Sequence, residues 1–367
     1  MEKSAITTDD DEKLEGRTQH KVQAKQWFKG IGYPVDLAEI QDKGYGMVAT
    51  RNISASQVIM QSEPMAHCPY QPRVNSVCAF CVRRFSQPTE DETSNKPNLT
   101  THKPSRPVRE ASKKKKEVED FADDDKRQCP KCEKVWYCSS ECQEMDRKNH
   151  DNIECHALQG MDFEWIADYY QFCEDLITDL RLLIRAAAVR YNCIEESKKK
   201  NKKTNKFDST YGQLISNRSC YTEEVLFSLR SVVQLVNYLL PPEGQVDEDL
   251  LLDVYCKHRV NMFGVWGAHN GECLAYGVYP TGSFYNHSCG PNTTFYRCSR
   301  ERIPYLQFLS TERIHKGQEV AISYIDITDG VEERQKCLEE KYFFACSCAR
   351  CIYQLSNIAE DGDTDDD

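Results

Sequence analysis

The spacing of apolar residues predicts a helical region in the middle of the chain. In residues 173–191 apolar positions recur every three or four residues, which gives a helix one buried face. A second helix is predicted over residues 225–239, with Thr222 as its N-cap and Pro241-Pro242 as its stop. Asp247 is expected to cap a third helix. The buried positions of that third helix are predicted to be Leu250, Leu251, Val254 and Tyr255.

Short strands are predicted on both sides of these helices. The stretch GMVATRNISASQVIMQSEP, residues 46–64, has the pattern of two strands joined by a polar turn. After residue 260 the pattern returns to short strands with glycine turns: LAYGVYP, PYLQFLS and QEVAISY. The last of these follows a predicted turn at Lys316-Gly317. The chain therefore combines strands at both ends with helices between them.

Four polar segments contain too few apolar residues to form a core. Residues 1–24 and the segment 82–128, which includes Lys113–Lys116, are predicted to be disordered. A lysine-rich run at 198–206 separates the first two helices. The acidic tail from Ala359 is expected to be unstructured. For the lysine runs, a solvated linker is the first interpretation and a nuclear import signal the second.

The overall charge and hydropathy narrow the functional classes. The 367 residues include 58 acidic and 47 basic side chains, and the net charge of −11 argues against nucleic-acid binding. No secretory leader is recognised at the start, and no run approaches the ~18 apolar residues that span a bilayer. We expect a soluble intracellular protein, cytoplasmic or nuclear, without a membrane partner.

The nineteen cysteines indicate metal binding. A reducing cytosol does not sustain structural disulfides, and these cysteines cluster at short, repeated spacings. Thiolate and imidazole ligands favour zinc over hard cations. The first block offers eight ligands, enough for two tetrahedral ions. They are Cys78-x2-Cys81, Cys129-x2-Cys132, Cys138-x3-Cys142 and His150-x4-Cys155.

A second cluster, Cys346-x-Cys348-x2-Cys351, supplies three thiolates and leaves a tetrahedral zinc one ligand short. Cys289, in the stretch SFYNHSCGPN, is the natural fourth ligand; the alternative is a free thiol. For the other eight cysteines core packing is the default. These are Cys68, Cys173, Cys193, Cys220, Cys256, Cys273, Cys298 and Cys337.

The stretch CPKCEKVWYCSSECQEMDRKNHDNIEC, residues 129–155, resembles the MYND zinc finger. In that family the ligand pairs interleave. The resemblance assigns Cys78, Cys81, Cys138 and Cys142 to one zinc, and Cys129, Cys132, His150 and Cys155 to the other.

Two spacings depart from the MYND pattern. The gap between the first two cysteine pairs is longer than usual. The spacing from His150 to Cys155 is one residue longer than the family norm, which leaves His156 as a competing ligand. Zinc tolerates spacings of three to five residues between such ligands, so His150 is the prediction.

Four fragments occur in the order found in SET-domain methyltransferases: KGYGMVATRNISASQVIMQSEP, GVYPTGSFYNHSCGPN, GQEVAISYID and YFFACSCARC. With the finger after the first fragment, the chain resembles the SET and MYND domain family of protein-lysine methyltransferases over residues 27–353. It looks like a short form that lacks the family's helical C-terminal domain. The implied fold is α+β: a β-rich SET fold with a threaded C-terminal segment, an inserted MYND finger, a helical insertion and a post-SET zinc site.

The resemblance also implies domain boundaries. After the disordered residues 1–24, the first SET part would cover 25–77 and the finger 78–155. The helical insertion would cover 156–259 and the core SET domain 260–334. The post-SET zinc segment would then cover 335–355 and the acidic tail 356–367.

The activity implied by the resemblance is transfer of a methyl group from S-adenosylmethionine to a lysine amine of a protein, with three zinc ions as structural cofactors. Tyr324 matches the catalytic tyrosine. Tyr342 and Phe344 match an aromatic channel wall beside the cofactor, whereas Phe343 could equally be an ordinary core residue. The matched cofactor contacts are Lys43, Gly44, Tyr45, Gly46, Asn261, Ser283, Asn286 and His287.

The implied partner is a substrate protein that carries the target lysine, histone or non-histone, and the finger would accept a proline-rich peptide. A monomer is expected. The alternative is an inactive SET and MYND adaptor that acts through protein–protein contacts. Nucleic-acid binding through the lysine runs is the weakest of the three hypotheses.

Overall fold

The structure is a computed structural model that describes residue 24 and the ranges 27–28, 32–85, 126–169, 175–267, 271–298 and 301–362. Most of the segments predicted to be disordered, 1–23 and 86–125, lie outside these residues, as does the end of the tail from residue 363. Among the described residues, no helix combines the length and apolarity required to cross a bilayer.

The strands are short and come from both ends of the described chain. Their bounds are β1 (Val35–Ile40), β2 (Gly44–Ala49), β3 (Val58–Ser62), β4 (Ala66–Pro69), β5 (Arg127–Gln128), β6 (Trp136–Tyr137), β7 (Met262–Trp266), β8 (Cys273–Val278), β9 (Thr293–Arg297), β10 (Leu306–Ser310) and β11 (Glu319–Val320).

The helices fall mainly between β6 and β7. Their bounds are α1 (Ser140–Asn149), α2 (Cys155–Gln159), α3 (Phe163–Tyr169), α4 (Leu176–Lys199), α5 (Lys206–Tyr211), α6 (Glu223–Leu239), α7 (Glu248–Asn261), α8 (Val331–Tyr342) and α9 (Ala349–Gly362).

The three predicted helices and their caps are confirmed. The Thr222 hydroxyl accepts a hydrogen bond from the Val225 amide at the start of α6, and the Asp247 carboxylate accepts one from the Leu250 amide at the start of α7. Both bonds satisfy amides that have no partner inside the helix. The first predicted helix corresponds to α4; its predicted position Cys173 lies outside the described residues.

Nine of the strands form three small antiparallel sheets, in the orders β1-β2-β11, β3-β10-β9 and β4-β8-β7. Each contains strands that are far apart in sequence, so the segments before and after the helices fold together. The two strands predicted in residues 46–64, β2 and β3, form as expected but belong to different sheets. Met47 of β2 is buried, as are Ile59 and Met60, which point to opposite faces of β3.

The helical region and the finger share a second core. Helix α4 packs against β4 and against the single turn that links α1 to α2. Its residues Leu180, Ile184 and Ala187 are buried in the same cluster as the finger cysteines. The finger is therefore part of a continuous core with the helices.

Three sequence predictions need correction. The ends of the predicted loop 82–128 are ordered, because Val82 and Phe85 are buried and Lys126 lies over the Phe85 ring. The tail predicted from Ala359 is helical as far as Gly362, because a helix started by packed residues extends at one hydrogen bond per added residue. Cys220 is exposed, because its short turn precedes the cap of α6.

Candidate metal groups and active site

The structure brings the predicted finger ligands into two groups of four, in the interleaved pairing. Within each group all ligand atoms lie within 4.8 Å of one another, and every member is buried. The Sγ atoms of Cys138 and Cys142 are 3.5 Å apart, and the Sγ of Cys132 is 3.6 Å from Nε2 of His150. The groups are Cys78, Cys81, Cys138 and Cys142, and Cys129, Cys132, His150 and Cys155.

These separations fit zinc. A tetrahedral ion with Zn–S bonds of about 2.3 Å places its sulfur ligands about 3.8 Å apart, whereas a disulfide needs about 2.05 Å. This set of thiolate and imidazole donors also favours zinc over hard cations such as Mg²⁺ or Ca²⁺. The two finger groups can therefore each hold one zinc ion.

The extra residue between His150 and Cys155 is absorbed by a π-helical turn. Helix α1 passes into one π turn, His150–Glu154, before α2 begins, and the Cys155 amide donates to the His150 carbonyl. In a regular α-helix, residues five apart point about 140° away from each other. The wider turn brings both side chains to one metal group, whereas His156 is exposed.

A buried ion network stands behind His150. Its Nδ1 lies 2.7 Å from Oε2 of Glu154, and Arg185 of α4 donates from Nε to Oε1 of Glu154 at 2.9 Å. Arg185 also pairs with Asp146, which accepts from the Tyr137 hydroxyl at 2.9 Å. Such outer partners fix the tautomer and orientation of a ligating histidine.

The carboxylates beside His150 could in principle form another cation site, since Asp146, His150 and Glu154 also lie close together. The Arg185 guanidinium already forms ion pairs with both carboxylates. Although burial acts against the charged form, Asp146 and Glu154 raise the pKa of Arg185 above its ordinary value. A cation would meet this fixed positive charge, so the trio belongs to the support of the finger.

The third group joins Cys289 to the three C-terminal cysteines, as predicted. Its ligand atoms also lie within 4.8 Å of one another, and the Sγ atoms of Cys289 and Cys351 are 3.4 Å apart. Arg334 of α8 is 1% exposed and donates from Nε to the Cys289 sulfur at 3.3 Å. The remaining members are Cys346 and Cys348.

A small cleft lies where α7 meets β7 and the 283–285 segment. The predicted residues Asn261, Ser283 and Tyr324 line it. The side-chain amide of Asn261 donates to the carbonyls of Ile215 and Lys257, at 2.7 and 2.9 Å. The Asn261 side-chain oxygen is therefore the atom that this residue can offer to a ligand.

Tyr324 is held at both its ends. Its hydroxyl donates to the Tyr285 carbonyl at 2.6 Å, and its amide donates to Nδ1 of His287 at 2.9 Å. Burial, with a smaller contribution from the Glu319 carboxylate, raises the pKa of Tyr324 above its ordinary value. The phenol therefore stays protonated at neutral pH and has a fixed direction.

The His287 side chain is engaged inside the protein. The resemblance assigns it to the cofactor, but its Nδ1 accepts from Tyr324 and its Nε2 lies 3.2 Å from the Cys289 sulfur. Both ring nitrogens are thus engaged inside the protein, and the side chain is buried. The Asn286-His287-Ser288-Cys289 stretch places this ring between the third group and Tyr324.

Two of the other predicted cofactor contacts, Lys43 and Asn286, meet at Glu319. One oxygen of Glu319 pairs with Nζ of Lys43 at 2.7 Å, and the other accepts from Asn286 at 3.0 Å. A Cβ on Gly46 would collide with the Asn286 side chain, so only glycine allows this approach. Gly44, with φ of +76°, and Tyr45 complete the turn beside them and do not line the cleft.

Aromatic rings surround Tyr324. The ring centroid of Tyr342 is 5.1 Å away and that of Phe344 6.5 Å away. Phe343 instead ends α8 in the left-handed conformation and contacts Tyr221. Phe343 therefore does not contribute to this wall.

Several supporting residues carried no usable sequence signal. Glu319 lies in a two-residue strand, and Arg185 and Arg334 have the sequence appearance of helix-surface arginines. Tyr285 acts through its carbonyl, which every residue possesses. The one available clue was the QEV motif five residues before Tyr324, which places Glu319 beside the predicted site.

Comparison with known proteins identifies the domain. The SET domain family model matches residues 44–325, which is most of the chain. A SET and MYND domain-containing protein of Dictyostelium discoideum is 25% identical over 359 residues, covering 89% of this chain and 61% of the relative.

Two further relatives carry names that state an activity. Histone-lysine N-methyltransferase ASHR1 of Arabidopsis thaliana is 29% identical over 231 residues, covering 63% of this chain and 45% of the relative. Mouse histone-lysine N-methyltransferase SMYD3 is 29% identical over 231 residues, covering 62% of this chain and 49% of the relative. The chain thus spans between about half and three fifths of the length of these relatives.

Among solved structures, the SET domain of LSMT bound to lysine and AdoHcy matches with a TM-score of 0.38 and 14% identity. That match covers 91% of this chain and 58% of the solved one. The family model spans strands β2 to β11, on both sides of the helices, and the Dictyostelium discoideum relative carries both domain names. The chain belongs to the SET domain family.

Proposed function

We propose that this protein is an S-adenosylmethionine-dependent protein-lysine N-methyltransferase. The observation that carries the proposal is the fixed phenol of Tyr324, which lies in the wall of the cleft and inside a cage of aromatic rings. Methyl transfer to an amine needs positioning and electrostatics rather than a covalent intermediate, and this site supplies both.

The residues beside the cleft suit the cofactor. Asn261 and Ser283 present polar atoms at the cleft, and the Gly46 turn and Asn286 approach one another closely enough to exclude any larger side chain. When bound, S-adenosylmethionine supplies an electrophilic methyl group on a sulfonium. Lys43, Gly44, Tyr45 and Gly46, with Asn261, Ser283 and the Asn286–His287 backbone, are the proposed contacts.

The aromatic cage suits the lysine. A lysine side chain has an ordinary pKa of about 10.4, and burial among Tyr324, Tyr342 and Phe344 favours the neutral amine that can attack. Because the Tyr324 proton points to the Tyr285 carbonyl, the phenol oxygen can accept a hydrogen bond from that amine. This contact would aim the lysine lone pair towards the cleft.

Zinc at all three groups would hold this arrangement. The third group ties Cys289, four residues after Tyr285, to the C-terminal segment that carries Phe344. The finger groups stabilise the neighbouring helical core. We therefore propose three zinc ions per chain, with Cys289, Cys346, Cys348 and Cys351 as the ligands closest to the reaction.

The partner is a protein that presents a lysine to the cage, and the finger is a candidate site for a proline-rich peptide. The relatives named as histone-lysine methyltransferases favour histones as the first substrates to test. We propose that the protein acts on such substrates in the cytoplasm or the nucleus. We propose that the chain acts as a monomer.

The test is methyl transfer from labelled S-adenosylmethionine to histones and to a cell lysate. Tyr324→Phe should lower labelling by about 100-fold, the usual effect of losing one well-placed polar group in an active site. Tyr353→Phe is the matched control, because Tyr353 is 67% exposed on α9. Labelling by the native protein that Tyr324→Phe leaves unchanged would overturn the proposal.

Calorimetric titration with S-adenosylmethionine separates the enzyme from the adaptor alternative. An enzyme must bind the cofactor whether or not its preferred substrate is present in the assay. Binding without labelling would point to an untested substrate. Absence of both binding and labelling, in protein that contains zinc, would support the adaptor.

A further inference from the structure

One five-residue loop, Tyr285–Cys289, makes hydrogen bonds to both the hydroxyl and the backbone amide of Tyr324. The same loop contributes Cys289 to the third metal group. The Tyr285 carbonyl accepts from the Tyr324 hydroxyl, and His287 accepts from the Tyr324 amide. Cys289 contributes its sulfur to the group of four cysteines. The loop also pairs with the strand that leads to Tyr324, through hydrogen bonds between Ile322 and its two neighbours Asn286 and Ser288.

The hydrogen-bond directions fix the state of the His287 ring. A backbone amide can only donate, so Nδ1, at 2.9 Å from the Tyr324 nitrogen, is unprotonated. In a neutral imidazole the proton then resides on Nε2, which lies 3.2 Å from the Cys289 sulfur. Nε2–H therefore donates to the sulfur, and the ring bridges the metal group to the Tyr324 backbone.

The strength of this bridge depends on the sulfur. A metal-bound thiolate carries negative charge, and hydrogen bonds to ionised acceptors are stronger than neutral ones. Arg334 donates to the same sulfur from the opposite helix α8, so two donors orient it. Because His287 is 4% exposed, water does not readily replace either of its partners.

We propose that His287 is a positioning residue that transmits the order of the third metal group to Tyr324. This role rests on the proposed function only in that Tyr324 is the residue positioned. Metal at the group fixes the Cys289 sulfur, the sulfur fixes the imidazole, and the imidazole fixes the Tyr324 amide. Loss of metal at this group therefore loosens Tyr324, although Tyr324 contributes no metal ligand.

Three substitutions separate the two bonds of the ring. His287→Asn places its side-chain oxygen near the position of Nδ1 and keeps the acceptor for Tyr324, but it cannot reach Cys289. His287→Gln places its amide near the position of Nε2 and keeps the donor to Cys289, but it loses Tyr324. His287→Phe loses both bonds and keeps a planar ring of similar bulk.

The readout is hydrogen exchange at the Tyr324 amide in the full chain loaded with zinc, with and without Cys348→Ser in the third group. Cys348→Ser should speed this exchange on the order of tenfold, the effect of weakening one hydrogen bond in the folded state. His287→Phe and His287→Gln should speed it similarly. In either of these two variants, adding Cys348→Ser should speed exchange at the Tyr324 amide by no more than about a further twofold.

His287→Asn gives the sharpest result. Its Tyr324 amide should exchange as slowly as in the native protein, yet Cys348→Ser should no longer speed it, because the link to Cys289 is absent. Zinc release to a chromogenic chelator should be faster in His287→Asn and close to native in His287→Gln. A purely structural role for His287 would not divide the two readouts in this way.

Two results would overturn the inference. In the first, Cys348→Ser speeds exchange at the Tyr324 amide as much in the His287→Asn protein as in the native one. In the second, the rate increases from Cys348→Ser and His287→Phe multiply in the double variant. Exchange in α6 serves as the folding control and should not change in any variant. These measurements do not depend on methyl transfer. Loss of the proposed activity and loss of the proposed bridge are therefore distinguishable.

Discussion

The two finger groups and the third group use similar ligands in different surroundings. Behind His150 lies a closed network of buried charges that runs through Glu154, Arg185 and Asp146 to helix α4. At the Cys289 sulfur two buried donors meet, Arg334 and His287, and the His287 imidazole leads on to Tyr324. The second finger group is thus connected to the helical core, and the third group is connected to the candidate active site.

This difference shows that the residues around a metal group indicate its role in the protein. A network whose members satisfy one another ends within the core and serves stability. A contact that passes from a ligand to a residue in the wall of a cleft connects the metal to the chemistry. The donor sets alone, which are four soft ligands in each case, would not separate the two roles.

The largest expected effect tests the finger side of the comparison. Arg185→Met leaves Asp146 and Glu154 buried without their partner and should lower the free energy of unfolding by about 3–5 kcal/mol. The matched control is Arg190→Met on the same helix, whose ion pair with Asp208 is partly exposed. Arg190→Met should lower the free energy of unfolding, measured by urea denaturation, by about 1 kcal/mol or less. Equal losses would contradict the role of the buried network.

The next effect compares outer partners of the first and third groups. Arg334→Met removes a buried donor to the Cys289 sulfur and should weaken zinc binding at the third group by about 10- to 100-fold. Arg302→Met removes a contact to Cys142 from a side chain that is 41% exposed. It should change affinity much less, because water can replace an exposed donor. Chelator competition measures both, and similar changes would break the comparison.

The smallest effect concerns the cofactor side of the site. Glu319→Gln keeps an acceptor for Asn286 but loses the ion pair with Lys43, which is partly exposed. It should therefore weaken S-adenosylmethionine binding by about threefold to fivefold in calorimetry. Glu312→Gln, at an exposed position nearby in sequence, is the control. An unchanged affinity in Glu319→Gln would show that the Lys43 turn does not depend on this pair.

The sequence predicted the features that follow from local rules. The caps at Thr222 and Asp247 are short-range hydrogen bonds, and the paired cysteine spacings indicate zinc ligands. The interleaved grouping of the finger ligands came from the resemblance to the MYND finger. The π turn at His150 accommodates the longer spacing to Cys155, and this turn could be seen only in the structure. Spacing therefore indicates which ligands exist more reliably than how the backbone presents them.

The residues that the sequence could not identify are those whose role depends on distant partners. Arg185 and Arg334 are charged residues on helices, and nothing local distinguishes them from exposed arginines until their carboxylate or thiolate partners are known. The resemblance matches His287, together with Asn286, to the pair that hydrogen-bonds the cofactor. The direction of its ring is set by Tyr324 and Cys289, on either side of it in the fold.

The central claim is that a metal-held loop and Tyr324 together form the site of methyl transfer. Anomalous diffraction at the zinc edge, from crystals grown with S-adenosylmethionine, tests it most directly. The account predicts one zinc peak in each of the three groups, with the sulfonium methyl beside the Tyr324 hydroxyl. A third group without zinc, or cofactor bound away from Tyr324, would contradict it.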